Sequence, residues 1–222
     1  MVNKQLGIRK SVLQETLHIA SMLVDNDIST IVFGKSRLTV EVLTRHLKER
    51  VKDPFGNAGR VRGYRGGYLP TLRREIERGL RKGEIRAVVS TNALELGIDI
   101  GQLDACVLCG YPGSIASTWQ EAGRAGRDGL PSQCILLFSP QDIVINRFLL
   151  DHKENDDLDD EAADLLRARD NQRLQAMANY CQTTGCLRNY ILRYFGEDPA
   201  EPCGSCGNCR AKYRAEDITT HA

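Results

Sequence analysis

The 222-residue sequence holds no apolar run approaching the ~18 residues that a membrane-spanning helix requires. Its first ten residues, MVNKQLGIRK, lack the apolar core of a secretory signal. Both absences lead to the expectation of a cytoplasmic protein. Net charge is almost absent too. Thirty Lys and Arg against 29 Asp and Glu leave +1, so the whole-molecule field does not announce a polyanionic partner. Two phosphate-chemistry signatures are missing. Gly34-Lys35-Ser36 supplies the ending of a G-x-x-x-x-G-K-[ST] loop, but the position of its first glycine is Ser29. No Asp-Glu-x-His/Asp magnesium motif occurs, and no internal repeat is found.

What is present is globular in balance, 41% hydrophobic and 27% charged. Charge is unevenly placed. Seven Lys and Arg with two Glu lie between Arg62 and Lys82, and eight Asp and Glu with one Lys between Asp151 and Asp164. Ser11 to Val24 reads as an amphipathic helix with Ser11 and Gln14 as a capping box and Leu13, Leu17, Ala20 and Val24 inward. A β-rich run at Ser29 to Phe33 turns at Gly34-Lys35-Ser36 into a second helix, Arg37 to Arg50. A loop at Asp53 to Asn57, a weak strand at Val61 and a helix from about Pro70 to Lys82 follow. Strands are expected at Ala87 to Val89, Ala105 to Leu108 and Cys134 to Phe138, alternating with helices at Ile115 to Ala122 and Asp142 to Leu150. Such alternation argues for a mostly parallel sheet covered on both faces, with ligands beyond the carboxyl ends of its strands. The acidic stretch from Asp151 to Asp164 is the expected boundary, giving domains 1–150 and 151–222. Beyond it, Leu174, Met177, Ala178 and Cys181 mark one helical face, and Leu187, Ile191 and Phe195 another.

Val88 to Arg127 carries the chemistry. In Gln120-Glu121-Ala122-Gly123-Arg124-Ala125-Gly126-Arg127 the glycines allow a tight turn, and two arginines emerge three residues apart. Guanidinium forks suit phosphate oxygens, and an arginine delivered to a γ-phosphate stabilises transition-state charge. A solvated basic turn is the plainer alternative. Upstream, Ser90-Thr91-Asn92 ends a strand where hydroxyls and backbone N–H groups can hold a phosphate. Glu95, Gly97 and Asp99 follow. Asp99 is a candidate to orient an arginine or a ribose hydroxyl, or else an ordinary turn residue.

VVSTNALELGIDIG resembles motif V of superfamily 2 helicases, and QEAGRAGR resembles motif VI. TIVFGKSRLTVEVL is similar to motif IV, and the run from GYRGGYLPTLRR onward is most similar to the YprA-type DEAD/DEAH-box helicases. The resemblance covers nearly all of residues 1–150 and places motifs V and VI on successive loops of one rim. It implies the second RecA-like lobe of an ATP-dependent DNA helicase, 3′-to-5′ and acting in repair or recombination. It makes Arg127 the arginine finger and Arg124 its companion. Gln120, Asp99 and Gly97 would line the nucleotide cleft, and Thr91, Arg65 and Lys35 would face the nucleic-acid backbone. Such motors keep the phosphate loop and magnesium ligands on a first RecA-like lobe. ATP and Mg²⁺ would therefore bind only together with that lobe, in cis or in trans, and the isolated chain is expected to be inactive.

Eight cysteines in a chain read as cytosolic point to metal or core packing before disulfides. Cys186, then sixteen residues, Cys203, two residues, Cys206, two residues and Cys209 form a four-thiolate set at zinc spacing. Four thiolates leave no open position, so the metal would be structural. Cys181 is read as core. Cys106 and Cys109 are also C-x-x-C, but in a strand their side chains point to opposite faces, so they make no pair. CLRNYILRYFGEDPAEPCGSCGNC resembles the RecQ zinc-binding subdomain, and the likeness extends back through LQAMANYCQTTGC and GRDGLPSQCILLFSPQDI. That resemblance makes Cys186, Cys203, Cys206 and Cys209 the Zn²⁺ ligands of a small, mainly helical subdomain that contacts DNA. The first ~125 residues look YprA-like and the remainder RecQ-like. A natural mosaic, an assembly join and a designed fusion all fit that seam. The rival functional reading is a non-catalytic, zinc-stabilised nucleic-acid-binding or adaptor protein. Nothing in the residues separates DNA from RNA.

Overall fold

The computed structural model describes residues 11–51, 58–65, 67–91, 103–152 and 159–211. It divides into two compact units, Met1–Phe148 and Leu149–Ala222. In the first unit, β1 (Thr30–Gly34), β2 (Val61–Tyr64), β3 (Ala87–Ser90), β4 (Ala105–Cys109) and β5 (Gln133–Leu137) form one sheet in the order β2-β3-β1-β4-β5. Every neighbouring pair is parallel. The carboxyl ends of all five strands therefore share one rim, as the strand–helix alternation predicts.

Side-chain alternation in the strands sorts the core into two clusters. Val32, Val89, Ala105, Val107 and Cys109 pack with Leu17, Ala20 and Val24 of α1 (Val12–Asp25) and Val40, Leu43 and Leu47 of α2 (Arg37–Arg50). Ile31, Phe33, Val88, Cys106 and Leu108 pack on the other face with Ile76 and Leu80 of α3 (Pro70–Arg81) and with Ala125. Cys106 and Cys109 thus fall in different clusters, and they form no pair for the reason the strand period gives. On the Cys106 face, α4 (Ile115–Ala122) lies along β4. α5 (Pro140–Asp151) follows β5.

Some helix starts are capped by their own local side chains. Ser36 accepts a hydrogen bond from the Thr39 N–H at 3.1 Å, and Ser114 accepts one from Ser117 at 3.0 Å. Ser11 makes no such bond. Gln14 instead accepts 2.8 Å from Arg50 Nη2, so the expected capping box is replaced by a tie between α1 and α2.

The second unit contains α6 (Asp160–Gln182), α7 (Leu187–Tyr194) and the short α8 (Gly207–Arg210). Part of the acidic stretch read as a boundary is helical. Asp159 caps α6 by accepting from Ala162 N–H at 2.8 Å, and the acidic first turn suits the positive end of the helix dipole. Leu174, Met177 and Ala178 are buried with Ile191 of α7. The Tyr190 hydroxyl donates to the Ala176 carbonyl at 3.0 Å, so this aromatic joins α7 to α6. Cys181 is half-buried on the same face.

Candidate functional site

Two groups of residues surround the sheet at opposite ends. At the carboxyl rim, Lys35 follows β1, Arg65 follows β2 and Thr91 follows β3. Parallel pairing alone brings these three positions to one edge. Lys35 crosses Gly110, whose φ is +87°, and a Cβ there would lie 2.3 Å from Lys35 Cε. Only glycine fits both that backbone and that crossing. The Lys35 ammonium then meets the Asp142 carboxylate of α5. Asp142 is held in turn by the Ser139 N–H at 3.1 Å. A cavity of about 220 Å³ opens beside this pair, walled by Phe33, Gly110, Tyr111, Glu121 and Asn146. Arg65 pairs with Glu41 of α2. Its Nε is buried and is the one such side-chain atom without a hydrogen-bond partner among the described residues. An unmet buried donor is uncommon and marks a place where a polar ligand would be welcome. Thr91 is half-buried.

The arginine turn lies elsewhere. α4 runs back along β4, so that Cys106 Sγ lies 3.4 Å from the Glu121 carbonyl and donates to it. The chain then reaches the start of β4, where the Gly126 N–H donates to the Leu103 carbonyl at 2.9 Å. Motif VI is therefore a helix end at the amino-terminal edge of β4. The expectation that motifs V and VI occupy successive loops of one rim is corrected by this geometry. Gly126 has φ +72°, and a Cβ would lie 2.5 Å from Ser132 Oγ and 3.2 Å from the Leu130 carbonyl. Arg127 is exposed, its Nε donating to the Gly123 carbonyl at 3.2 Å. Burial, and after it the nearby Arg127 charge, lowers the Arg124 pKa, which places the two guanidinium groups in one electrostatic neighbourhood. Gln120 is exposed on the last turn of α4. Glu121 is buried, and burial pushes its carboxyl up to about 7. Gly97 and Asp99 lie outside the described residues.

The four cysteines of the second unit converge. The Sγ atoms of Cys186, Cys203, Cys206 and Cys209 all lie within 4.8 Å of one another, and Cys181 is not among them. Cys203 to Cys209 and Cys206 to Cys186 are each 4.0 Å apart. Thiolates on a tetrahedral Zn²⁺ at ~2.3 Å would be spaced by roughly 3.8 Å, so the donor set fits that ion. Backbone N–H groups of Leu187, Cys203, Cys206 and Cys209 point at the sulfurs at 3.3–3.4 Å and would stabilise thiolate charge.

Residues 10–129 match the helicase conserved C-terminal domain, and residues 140–210 match the RecQ zinc-binding family. The chain belongs to the helicase C-terminal domain family. It is 51% identical over 154 residues to the uncharacterized ATP-dependent helicase YprA of Bacillus subtilis (strain 168), covering 69% of this chain and 20% of that protein. It is 40% identical over 174 residues to the ATP-dependent DNA helicase RecQ of the same organism, covering 78% of this chain and 28% of RecQ. Among solved structures, the DUF1998 helicase MrfA bound to DNA and AMPPNP matches with a TM-score of 0.57 and 54% identity, covering 66% of this chain and 20% of MrfA. The helicase lobe and zinc-binding region thus span between a fifth and about three-tenths of these relatives' lengths. The two family matches fall on either side of residues 130–139, at the start of the RecQ-like region.

Two features of the helicase lobe escaped the sequence reading. The Lys35 to Asp142 pair joins residues 107 positions apart and has no local signature. Burial of Glu121 could have been anticipated from its place one turn after Thr118 on a helix facing β4, but its charge argued for solvent.

Proposed function

We propose that this chain is the second motor lobe of an ATP-dependent 3′-to-5′ DNA helicase, with a RecQ-like zinc module attached. The observation that carries the reading is the arrangement of one continuous segment. It starts at Thr91 on the rim that also bears Lys35 and Arg65, and it ends at Arg124 and Arg127 beside the opposite end of β4. A segment of that kind can couple a strand-holding edge to a nucleotide-sensing edge. Thr91, Arg65 and Lys35 would hold successive phosphates, the threonine through its hydroxyl, the arginine by bidentate contact and the lysine as a point charge. Arg127, supported by Arg124, would stabilise charge developing on a γ-phosphate presented by a first RecA-like lobe. Gln120, Gly97 and Asp99 would border the same nucleotide. ATP with Mg²⁺ supplies the hydrolysable bond when that lobe is present.

Cys186, Cys203, Cys206 and Cys209 would hold a structural Zn²⁺ that ties α7 and α8 to the end of α6. DNA is preferred over RNA because RecQ is described as a DNA helicase and MrfA was solved bound to DNA. A role in repair or recombination follows from the same likeness. The test is reconstitution. The chain alone should bind single-stranded DNA and turn over no ATP. Joined to a first lobe carrying a phosphate loop and an acidic magnesium motif, it should give DNA-stimulated hydrolysis. Turnover by the isolated chain, or no stimulation in the joined protein, would overturn the proposal.

A further inference from the structure

Apart from the arginine turn and the zinc ligands, the first unit brings two more thiols together. Cys106 of β4 and Cys134 of β5 are register partners on parallel strands. Their side chains leave the same face of the sheet, from backbones separated by about 4.8 Å. That spacing lies within the range of Cα separations across which disulfides close. The two thiols are close enough to shift one another's acidity. Their surroundings are unequal. Cys106 is fully buried between β4 and α4. Cys134 lies on the outermost strand and keeps solvent-accessible surface, although neighbouring atoms crowd its sulfur. The neighbouring Cys134 thiol, with burial next, raises the Cys106 pKa well above its ordinary value, and the neighbouring Cys106 thiol lowers that of Cys134. Cys134, the more exposed residue, carries the more acidic thiol, and the buried Cys106 lies beside it. Thiol–disulfide exchange needs that division between an attacking and a resolving thiol.

We propose that Cys134 and Cys106 are a redox-active pair which exchange with a low-molecular-weight disulfide converts into a cross-strand disulfide between β4 and β5. The Cys134 thiolate attacks one sulfur of the small disulfide and expels the first small thiolate. Cys106 attacks Cys134 Sγ and expels the second small thiolate, which leaves with the Cys106 proton. Two protein thiols lose two electrons, and one small disulfide gains them. Closure also removes the S–H that Cys106 donates to the Glu121 carbonyl. That carbonyl belongs to the last turn of α4, three residues before Arg124, so the modification reaches the arginine turn through a named contact.

The experiment equilibrates the zinc-loaded full chain with glutathione disulfide, quenches with acid, alkylates free thiols and digests with trypsin. Cleavage after Arg86, Arg124, Arg127 and Arg147 separates Cys106, on fragment 87–124, from Cys134, on fragment 128–147. The expected product joins the two fragments through Cys106 and Cys134 with loss of two hydrogens. Cys109→Ser should leave that link intact, because Cys109 packs on the opposite face. Cys106→Ser should instead leave glutathione stably on Cys134, and Cys134→Ser should leave Cys106 free. Wild-type protein in which Cys134 keeps glutathione while Cys106 is alkylated would overturn the proposal. So would full alkylation of both thiols, or a link made through Cys109 or a zinc-site cysteine.

Discussion

Replacing Glu121 with Gln should make the lobe more stable at alkaline pH and nearly indifferent near pH 5. Glu121 is only 7% exposed on α4, and burial alone lifts its carboxyl from an ordinary 4.5 to about 7. A folded-state pKa above the unfolded value means that the native state binds more protons between those two limits. Stability is therefore lost as pH rises from about 4.5 through 7, and the penalty is complete above 7. The rise of about 2.5 pH units corresponds to roughly 3 kcal/mol at 1.36 kcal/mol per unit. Gln has the same shape and no charge, so it escapes this penalty. Urea unfolding followed by Trp119, the one tryptophan of the chain and the neighbour of Gln120 on the same helix, measures the difference at each pH. The advantage of Glu121→Gln over wild type should be under about 1 kcal/mol at pH 5 and approach ~3 kcal/mol by pH 8, with the denaturant slope unchanged. A difference that does not vary with pH would refute the reasoning, because desolvation of an ionised carboxylate would then not be its source.

Other substitutions probe the remaining contacts. Gly126→Ala should cost roughly 2 kcal/mol in urea unfolding, since it forces a left-handed backbone on a side-chain-bearing residue, with a Cβ 2.5 Å from Ser132 Oγ. Asp142→Asn should tighten binding to single-stranded DNA at low salt by releasing Lys35. Lys35→Ala should weaken binding and reduce the log–log salt slope by about 0.7, both read by fluorescence anisotropy. Protein purified without chelator should carry about one zinc per chain. Cys203→Ser should lose the metal and the helical signal of α7 and α8 while the Trp119 transition of the first unit persists; markedly less zinc in the wild type would contradict the ligand set.

Much of the fold can be read locally because the periods are unambiguous. Val40, Leu43 and Leu47 repeat at helical spacing and do cover the sheet. Val88 and Val89 alternate and do enter opposite clusters. The cysteine spacing likewise anticipates the convergence of the four sulfurs, because tight turns between C-x-x-C ligands are a short-range property. What stays hidden is long-range. Register between β4 and β5 pairs Cys106 with Cys134, and no local pattern encodes the register of parallel strands. The capping box at Ser11 fails because Arg50, on another helix, takes Gln14. Strand ends alone point the arginine turn to the carboxyl rim, because they do not reveal how far α4 runs back along β4. Hydrogen bonds from Cys106 and Gly126 settle that, and both partners are distant in sequence.

The most direct measurement is the steady-state ATPase rate of the chain joined to a first RecA-like lobe, with saturating single-stranded DNA, comparing wild type with Arg127→Ala. The proposed role predicts a fall in kcat on the order of 10³ to 10⁵, with DNA affinity unchanged. A kcat within a few-fold of wild type would contradict it.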